Sequence, residues 1–193
     1  MDNNPERWTP AVYAAAQVAK ALHQGQRDKG GNDYFAAHLT TVGRAGKNWK
    51  EQVVGFLHDA AEDTGYDVPS IIGRVKALLA RWRQQPAAMR EAVDPTLPPI
   101  DNIEMVIPTE RAWDEIAAAL ELLDHHNADS REAYIDKLKD NELARAVKML
   151  DLKNNMDLSR IPHPTAADRA RVEKYQREYA LLEQAANAAH LSD

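Results

Sequence analysis

Alanine and leucine recur at three- and four-residue spacing along most of this chain, and proline, glycine or a capping polar residue breaks the pattern at intervals. Such a pattern builds α-helices that bury one stripe each. From Pro10 to about Gln24, the residues Val12, Ala15, Ala16, Val18, Ala19 and Leu22 make one apolar stripe, opened by Thr9 as cap and Pro10 in the first turn. The same reasoning predicts helices over Tyr34 to about Ala45, Trp49 to Glu62, Asp67 to about Trp82 and Arg111 to about His126. Three more are predicted over Ser130 to Lys139, Asn141 to about Asp157 and about Ala166 to Ala189. Valine- and isoleucine-rich alternating runs, the signature of strands, are missing. The expected fold class is therefore all-α: a single-domain helical bundle over residues 1–193. One stretch departs from the pattern. Pro86, Pro95, Pro98, Pro99 and Pro108 fall within 84–110, where there is no glycine. It reads as an irregular surface insertion with a short helix over Pro86 to Val93, and a lid over the site is the alternative.

At 193 residues the chain can bury a substantial core without covalent staples. It has no cysteine, so disulfides and thiolate metal sites are excluded, and any metal must be held by nitrogen and oxygen. The net charge of -6 argues against binding a nucleic acid polymer, which calls for a dense basic face. A local basic patch can still hold a small phosphorylated ligand. No leader-like segment opens the sequence, and no run approaches the roughly 18 apolar residues of a membrane span. The expected setting is the cytoplasm, with no membrane partner.

The polar residues that carry chemistry are concentrated in a few places. The run His58-Asp59-Ala60-Ala61-Glu62-Asp63-Thr64 ends an apolar segment that includes Val53, Val54, Phe56 and Leu57. In a continuous helix His58 would lie over Glu62, and Asp59 over Asp63. Asp151 and Asn155 repeat that four-residue spacing after Ala146, Val147, Met149 and Leu150. With His38, these segments supply two imidazoles and two carboxylates, a first shell for one divalent ion, and leave Glu62 and Asp63 to handle protons. Taken singly, each piece has a plainer reading: a helix end with a turn glycine at Gly65, or an exposed acid at Asp151. Polar groups ending so apolar a helix must be solvated, paired or bound to something.

Taken together, the pieces resemble the metal-dependent HD-superfamily phosphohydrolases, in particular the hydrolase domain of RelA/SpoT enzymes and its small stand-alone relatives. In that family a helix ends in "GQ", a basic loop follows, and an aromatic residue precedes a metal-binding histidine by three. Here these are Gly25-Gln26, the loop through Asp33, and Phe35 before His38. His58-Asp59 with Glu62-Asp63-Thr64 resembles the family's "HDxxEDT", and Val147 to Met156 resembles its "VKLADxxxNM". The resemblance implies a helical bundle of the HD type with His38, His58, Asp59 and Asp151 as ligands of a manganese ion. It also implies Glu62 and Asp63 as the acid/base pair. Arg27 and Lys29 would contact the nucleotide, Asn155 would orient it, and Tyr134 would form part of the pocket wall. The implied activity is that of a guanosine 3′,5′-bis(diphosphate) 3′-pyrophosphohydrolase acting on this alarmone.

Three departures lie in or near the substrate-contacting segments. The family's "PYxxHP" stands here as Tyr34-Phe35-Ala36-Ala37-His38-Leu39; Met156 is followed by Asp157-Leu158 in place of "RT"; and Asp28 separates the basic pair. They leave open two alternatives. One is hydrolysis of another phosphorylated nucleotide, such as a nucleoside monophosphate or NADPH; the other is a non-catalytic nucleotide-binding module. Fewer than 40 residues follow the last motif, so no synthetase domain is expected. His125-His126 reads as a polar helix terminus, and His23, His163 and His190 as surface residues. Trp8, Trp49, Trp82 and Trp113 read as packing. Oligomeric state is not legible.

Overall fold

The computed structural model of the chain describes residues 8–91, 97 and 108–190. Among these, the protein is all-α, and its only extended pairing is an isolated bridge between Arg27 and Asp33. The helices are α1 Pro10–Leu22, α2 Thr40–Ala45, α3 Trp49–Leu57, α4 Ala60–Thr64, α5 Val68–Gln84, α6 Pro86–Glu91, α7 Glu110–Leu123, α8 Arg131–Leu138, α9 Glu142–Met156 and α10 Ala166–His190. Their starts follow capping chemistry. Thr9, Asn48, Asp67, Thr109, Ser130 and Asn141 each accept a backbone N–H of the first turn through their side-chain oxygen. α6 falls where the short helix was expected, while most of the remaining proline-rich segment lies outside the described residues.

α3 is the axis of the molecule. It packs against α1, α2, α7 and α9, and every residue from Gln52 to Leu57 is buried. A helix covered on all sides has no polar stripe to spare, which is why this segment is apolar all round rather than amphipathic. α1 lies against α3 and α5, and its buried Ala11, Ala14, Ala15, Ala16 and Ala19 permit close approach. One apolar cluster joins Trp8, near the start of the described chain, to Leu182 on α10. Trp8, Trp82 and Trp113 all belong to that cluster, and Trp49 packs against it. α10 is held over α8 by the two-pronged contact of Arg131 with Glu178, at 2.9 and 2.8 Å. No described helix is long and apolar enough to cross a membrane.

Two corrections to the expected elements bear on the site. The helix expected over Trp49–Glu62 is interrupted: α3 ends at Leu57, and α4 starts at Ala60. Asp59 has φ -96° and ψ -2°, and the Gly55 carbonyl accepts from His58 Nδ1 at 2.9 Å, so a side chain intrudes where a continuous helix would offer that carbonyl to an amide. The helix expected from Tyr34 opens with a π-helical turn over Phe35–Leu39, capped by Asp33 Oδ1 on the Ala36 amide at 2.9 Å. The wide turn faces Phe35, His38 and Leu39 inward together.

α2 and α3 meet at two glycines. A Cβ on Gly43 would stand 2.6 Å from the Phe56 ring, and one on Gly55 would stand 2.9 Å from the Gly43 Cα. The substitution Gly55→Val therefore forces the two helices apart. We expect it to lower stability by about 1–3 kcal/mol, read as a lower urea midpoint at unchanged slope. An unchanged midpoint would show that α2 yields at no cost.

Candidate metal centre

Four side chains from three parts of the chain converge on one buried point. The π-helical turn brings His38, the break between α3 and α4 brings His58 and Asp59, and α9 brings Asp151. His38 Nε2 lies 3.3 Å from His58 Nε2, 3.3 Å from Asp59 Oδ2 and 3.4 Å from Asp151 Oδ1. His58 Nε2 lies 3.0 Å from Asp59 Oδ2 and 3.6 Å from Asp151 Oδ1. His38, His58 and Asp151 are each less than 5% exposed, and Asp59 keeps 19% of its side chain accessible.

The far sides of these groups are fixed. His58 Nδ1 donates to the Gly55 carbonyl at 2.9 Å, and His38 Nδ1 donates to Asn154 Oδ1 at 2.7 Å. With Nδ1 committed, each ring turns its Nε2 inward, the atom a metal would take. Asp151 turns Oδ1 to the rings, where Asn155 Nδ2 donates to it at 2.5 Å, and Oδ2 to Lys148 Nζ at 2.7 Å. Tyr34 donates its hydroxyl to Asp59 Oδ2 at 2.6 Å, and its ring lies 5.0 Å from that of His38.

Two inward ring nitrogens and two carboxylates demand positive charge between them, as a proton on His58 or as a bound cation. Ligand atoms about 2.1 Å from one ion, at about 90–109° to each other, are about 3.0–3.4 Å apart, and the 3.0–3.6 Å that separate each histidine from the other and from both carboxylates fit. Buried His38, His58 and Asp151 could hold a metal ion, and Asp59 faces the same point. The electrostatics agree. Burial opposes charge on His58, yet the carboxylates of Asp59 and Asp151 outweigh it and push the ring up to about 10. Burial opposes ionisation of both acids too, but the His58 charge beside Asp59 and the Lys148 ammonium beside Asp151 hold each carboxyl well below the usual range.

The other expected site residues are distributed around this point. Glu62 and Asp63 lie on α4. Burial, then the charges of Asp59 and Glu62, raise Asp63 to about 6. Arg27 and Lys29 line a cavity of about 250 Å³ that also touches Tyr34, His38 and Asn155. Arg27 Nη1 donates to the Gly31 carbonyl at 2.8 Å. Tyr134 sits in the core, 2% exposed, with its hydroxyl donated to the Leu123 carbonyl at 2.9 Å and Lys148 over its ring.

Several residues were missed or misjudged in the sequence. His23 is no surface residue: it is 1% exposed, bonded to Gln26 through Nδ1 at 2.6 Å, with its ring 5.5 Å from that of Tyr34. The apolar stripe of α1 continues one position past the helix end and carries His23 inward. His163 is exposed, and the side chain of His190 lies outside the described residues. Tyr34, not Phe35, is the aromatic residue of the site; its place four before His38 was the available signal, while Phe35 stacks on Phe56 in the core. Asn154, Lys148, Arg160, Arg171 and Tyr175 had no such signal. His125 is more than a helix terminus, because its Nδ1 lies 2.6 Å from Glu62 Oε2.

Compared with models of known protein families and with curated proteins, the chain matches none.

Asn154 supplies the test of ring orientation. Replacing it with alanine should leave the helical content unchanged and weaken Mn²⁺ binding about 10–100-fold, measured by titration against a fluorescent chelator. Unchanged affinity would mean that the His38 ring is held by packing alone.

Proposed function

We propose that this protein is a divalent-metal-dependent phosphohydrolase of the HD type, with manganese as its ion and a guanosine 3′,5′-bis(diphosphate) alarmone as its substrate. One observation carries the reading: the convergence of His38, His58, Asp59 and Asp151 beside a cationic cavity. Arg27, Lys29, Arg160 and Arg171 all line that cavity, and His38 and Tyr34 join it to the converging ligands. An N₂O₂ donor set without sulfur suits Mn²⁺. Four cations around about 250 Å³ suit phosphate groups rather than a neutral ligand. The volume takes the phosphorylated end of a nucleotide and leaves its base toward the surface.

A bound divalent ion supplies Lewis acidity to a water and to a phosphoryl oxygen. The chain's own residues do the rest. Arg27 and Lys29 draw the phosphate charge into the cavity, the arginine through its planar fork. Asn155, bonded to Asp151, stands at the cavity wall where it can orient the sugar. Glu62 and Asp63 exchange the protons: one carboxylate takes a proton from the attacking water, and one carboxyl returns a proton to the leaving 3′-oxygen. In balance, water adds to the phosphorus attached to the 3′-oxygen, the bond between them breaks, and pyrophosphate leaves. Tyr34 holds Asp59 through its hydroxyl, which burial and then the Asp59 charge keep protonated far above its usual range.

The Mn²⁺-loaded protein should release pyrophosphate from guanosine tetraphosphate faster than it releases orthophosphate from nucleoside monophosphates or NADPH. His58→Ala and Asp59→Ala should each reduce turnover to background with the circular dichroism spectrum unchanged. Turnover retained in either variant would refute a reaction at these ligands. Faster orthophosphate release would move the substrate to another nucleotide, and tight binding without turnover under any divalent ion would make the protein a binding module.

A further inference from the structure

We propose a second metal site, separate from the four converging ligands, formed by Asp124, His125 and His126 with Glu62. The first three close α7. Asp124 is extended, at φ -73° and ψ 107°, and the next three residues form a 3₁₀ turn, which sets three consecutive side chains on one side of the chain. One donor atom from each of them lies within 4.8 Å of the other two. The rings of His125 and His126 stand 4.2 Å apart, and His126 Nδ1 is 3.1 Å from Asp124 Oδ1. The fourth donor comes from α4, more than 60 residues away in sequence: Glu62 Oε2, 2.6 Å from His125 Nδ1. Asp124, His125 and His126 thus form the core of the site, and Glu62 borders it on the His125 side.

The turn is anchored on all sides. The Tyr134 hydroxyl holds the Leu123 carbonyl at 2.9 Å, Asn127 Nδ2 holds the Glu121 carbonyl at 3.0 Å, and Lys137 Nζ holds the Asn127 carbonyl at 2.9 Å. None of these bonds uses a proposed ligand atom, so the support is independent of the site. The donors are also reachable, with side-chain exposures of 44% for His125, 63% for His126, 28% for Glu62 and 17% for Asp124. Four nitrogen and oxygen donors on an open surface suit an exchangeable ion of the Zn²⁺ class. At 2.6 Å, His125 Nδ1 and Glu62 Oε2 are within hydrogen-bond reach of each other. A cation bound by both takes the place of that hydrogen bond, and the hydrogen between them passes to solvent.

Binding at this second site does not depend on the proposed hydrolysis. Zn²⁺ is titrated into tag-free wild-type protein and into His126→Ala, and the bound equivalents are counted by calorimetry and by metal analysis after gel filtration. His126→Ala should bind one equivalent fewer than wild type, with the same circular dichroism spectrum. Glu62→Gln should weaken that equivalent by about tenfold or more. Equal stoichiometry in wild type and His126→Ala, including none in both, would overturn the site. An equivalent unaffected by Glu62→Gln would overturn the four-residue assignment and leave only a surface histidine pair. Glu62 is also one of the proposed proton carriers, so the Glu62→Gln arm is read by metal binding alone; His126→Ala touches no residue assigned to the Mn²⁺-dependent reaction, which keeps failure of this site and failure of that reaction distinguishable.

Discussion

Two imidazole nitrogens are held 3.3 Å apart inside this protein, with two carboxylates beside them. Both Nδ1 atoms are already committed as donors, so the positive charge these carboxylates demand must come on the Nε2 side, as a proton on His58 or as a cation. Lone pairs and anions so placed out of water cost several kcal/mol each unless a positive charge joins them. The requirement spreads outward. Lys148 is drawn into the interior, 12% exposed at its side chain, to neutralise one oxygen of Asp151. Tyr34 spends its hydroxyl on Asp59. With Lys148 offsetting one carboxylate, the neutral-imidazole site carries about one net negative charge, which a divalent cation over-compensates; the remaining positive charge can then attract a further anion.

Bringing those nitrogens together is a packing problem before it is a chemical one. His38 and His58 are contributed by neighbouring segments whose helices, α2 and α3, touch at Gly43 and Gly55 without an intervening side chain. The glycines let the Phe56 ring and the two backbones fill one layer, and the same Gly55 offers its carbonyl to His58. α3 is covered by α1, α2, α7 and α9, so its end cannot drift. The centre therefore draws its rigidity from the most buried helix of the bundle.

How much of this was legible depended on whether the signal was local. The stripe of α1, the caps Thr9, Asp67, Ser130 and Asn141, and the end of α4 at Gly65, with φ 71°, follow from neighbours in sequence and could be read directly. The residues converging at the centre could be named because their types and order formed a pattern, though not the break in the helix between His58 and Ala60. Periodicity continues through that break, and only a side-chain bond to Gly55 marks it. Partners whose meaning depends on distance in space were invisible. Asn154 lies 116 residues from His38, and an asparagine beside Asn155 announces nothing by itself. His23 failed for a different reason: histidine is so often exposed that one position beyond a buried stripe was read as surface.

Two features that looked like unrelated irregularities meet in the structure. Asp28 interrupts the basic pair in the loop before His38, and an arginine, Arg160, occupies the turn after α9. Arg160 Nη1 donates to Asp28 Oδ2 at 3.2 Å, and Nη2 donates to the Asn154 carbonyl at 3.1 Å. The Asp28 side chain is only 6% exposed, so the contact is shielded from the solvent that weakens surface pairs. The loop is pressed so closely on this turn that a Cβ on Gly30 would overlap the Arg160 carbonyl oxygen, at 2.2 Å. Arg160 thus ties Lys29 and Arg27 to the residue that orients His38, joining the cationic wall of the cavity to the ligand shell. Its Nε is buried with no partner among the described residues, a donor left over at the wall of a cavity lined by three other cations. An acid placed between two bases, which taken alone weakens a phosphate-binding loop, here locks that loop in place by holding a fourth cation against it.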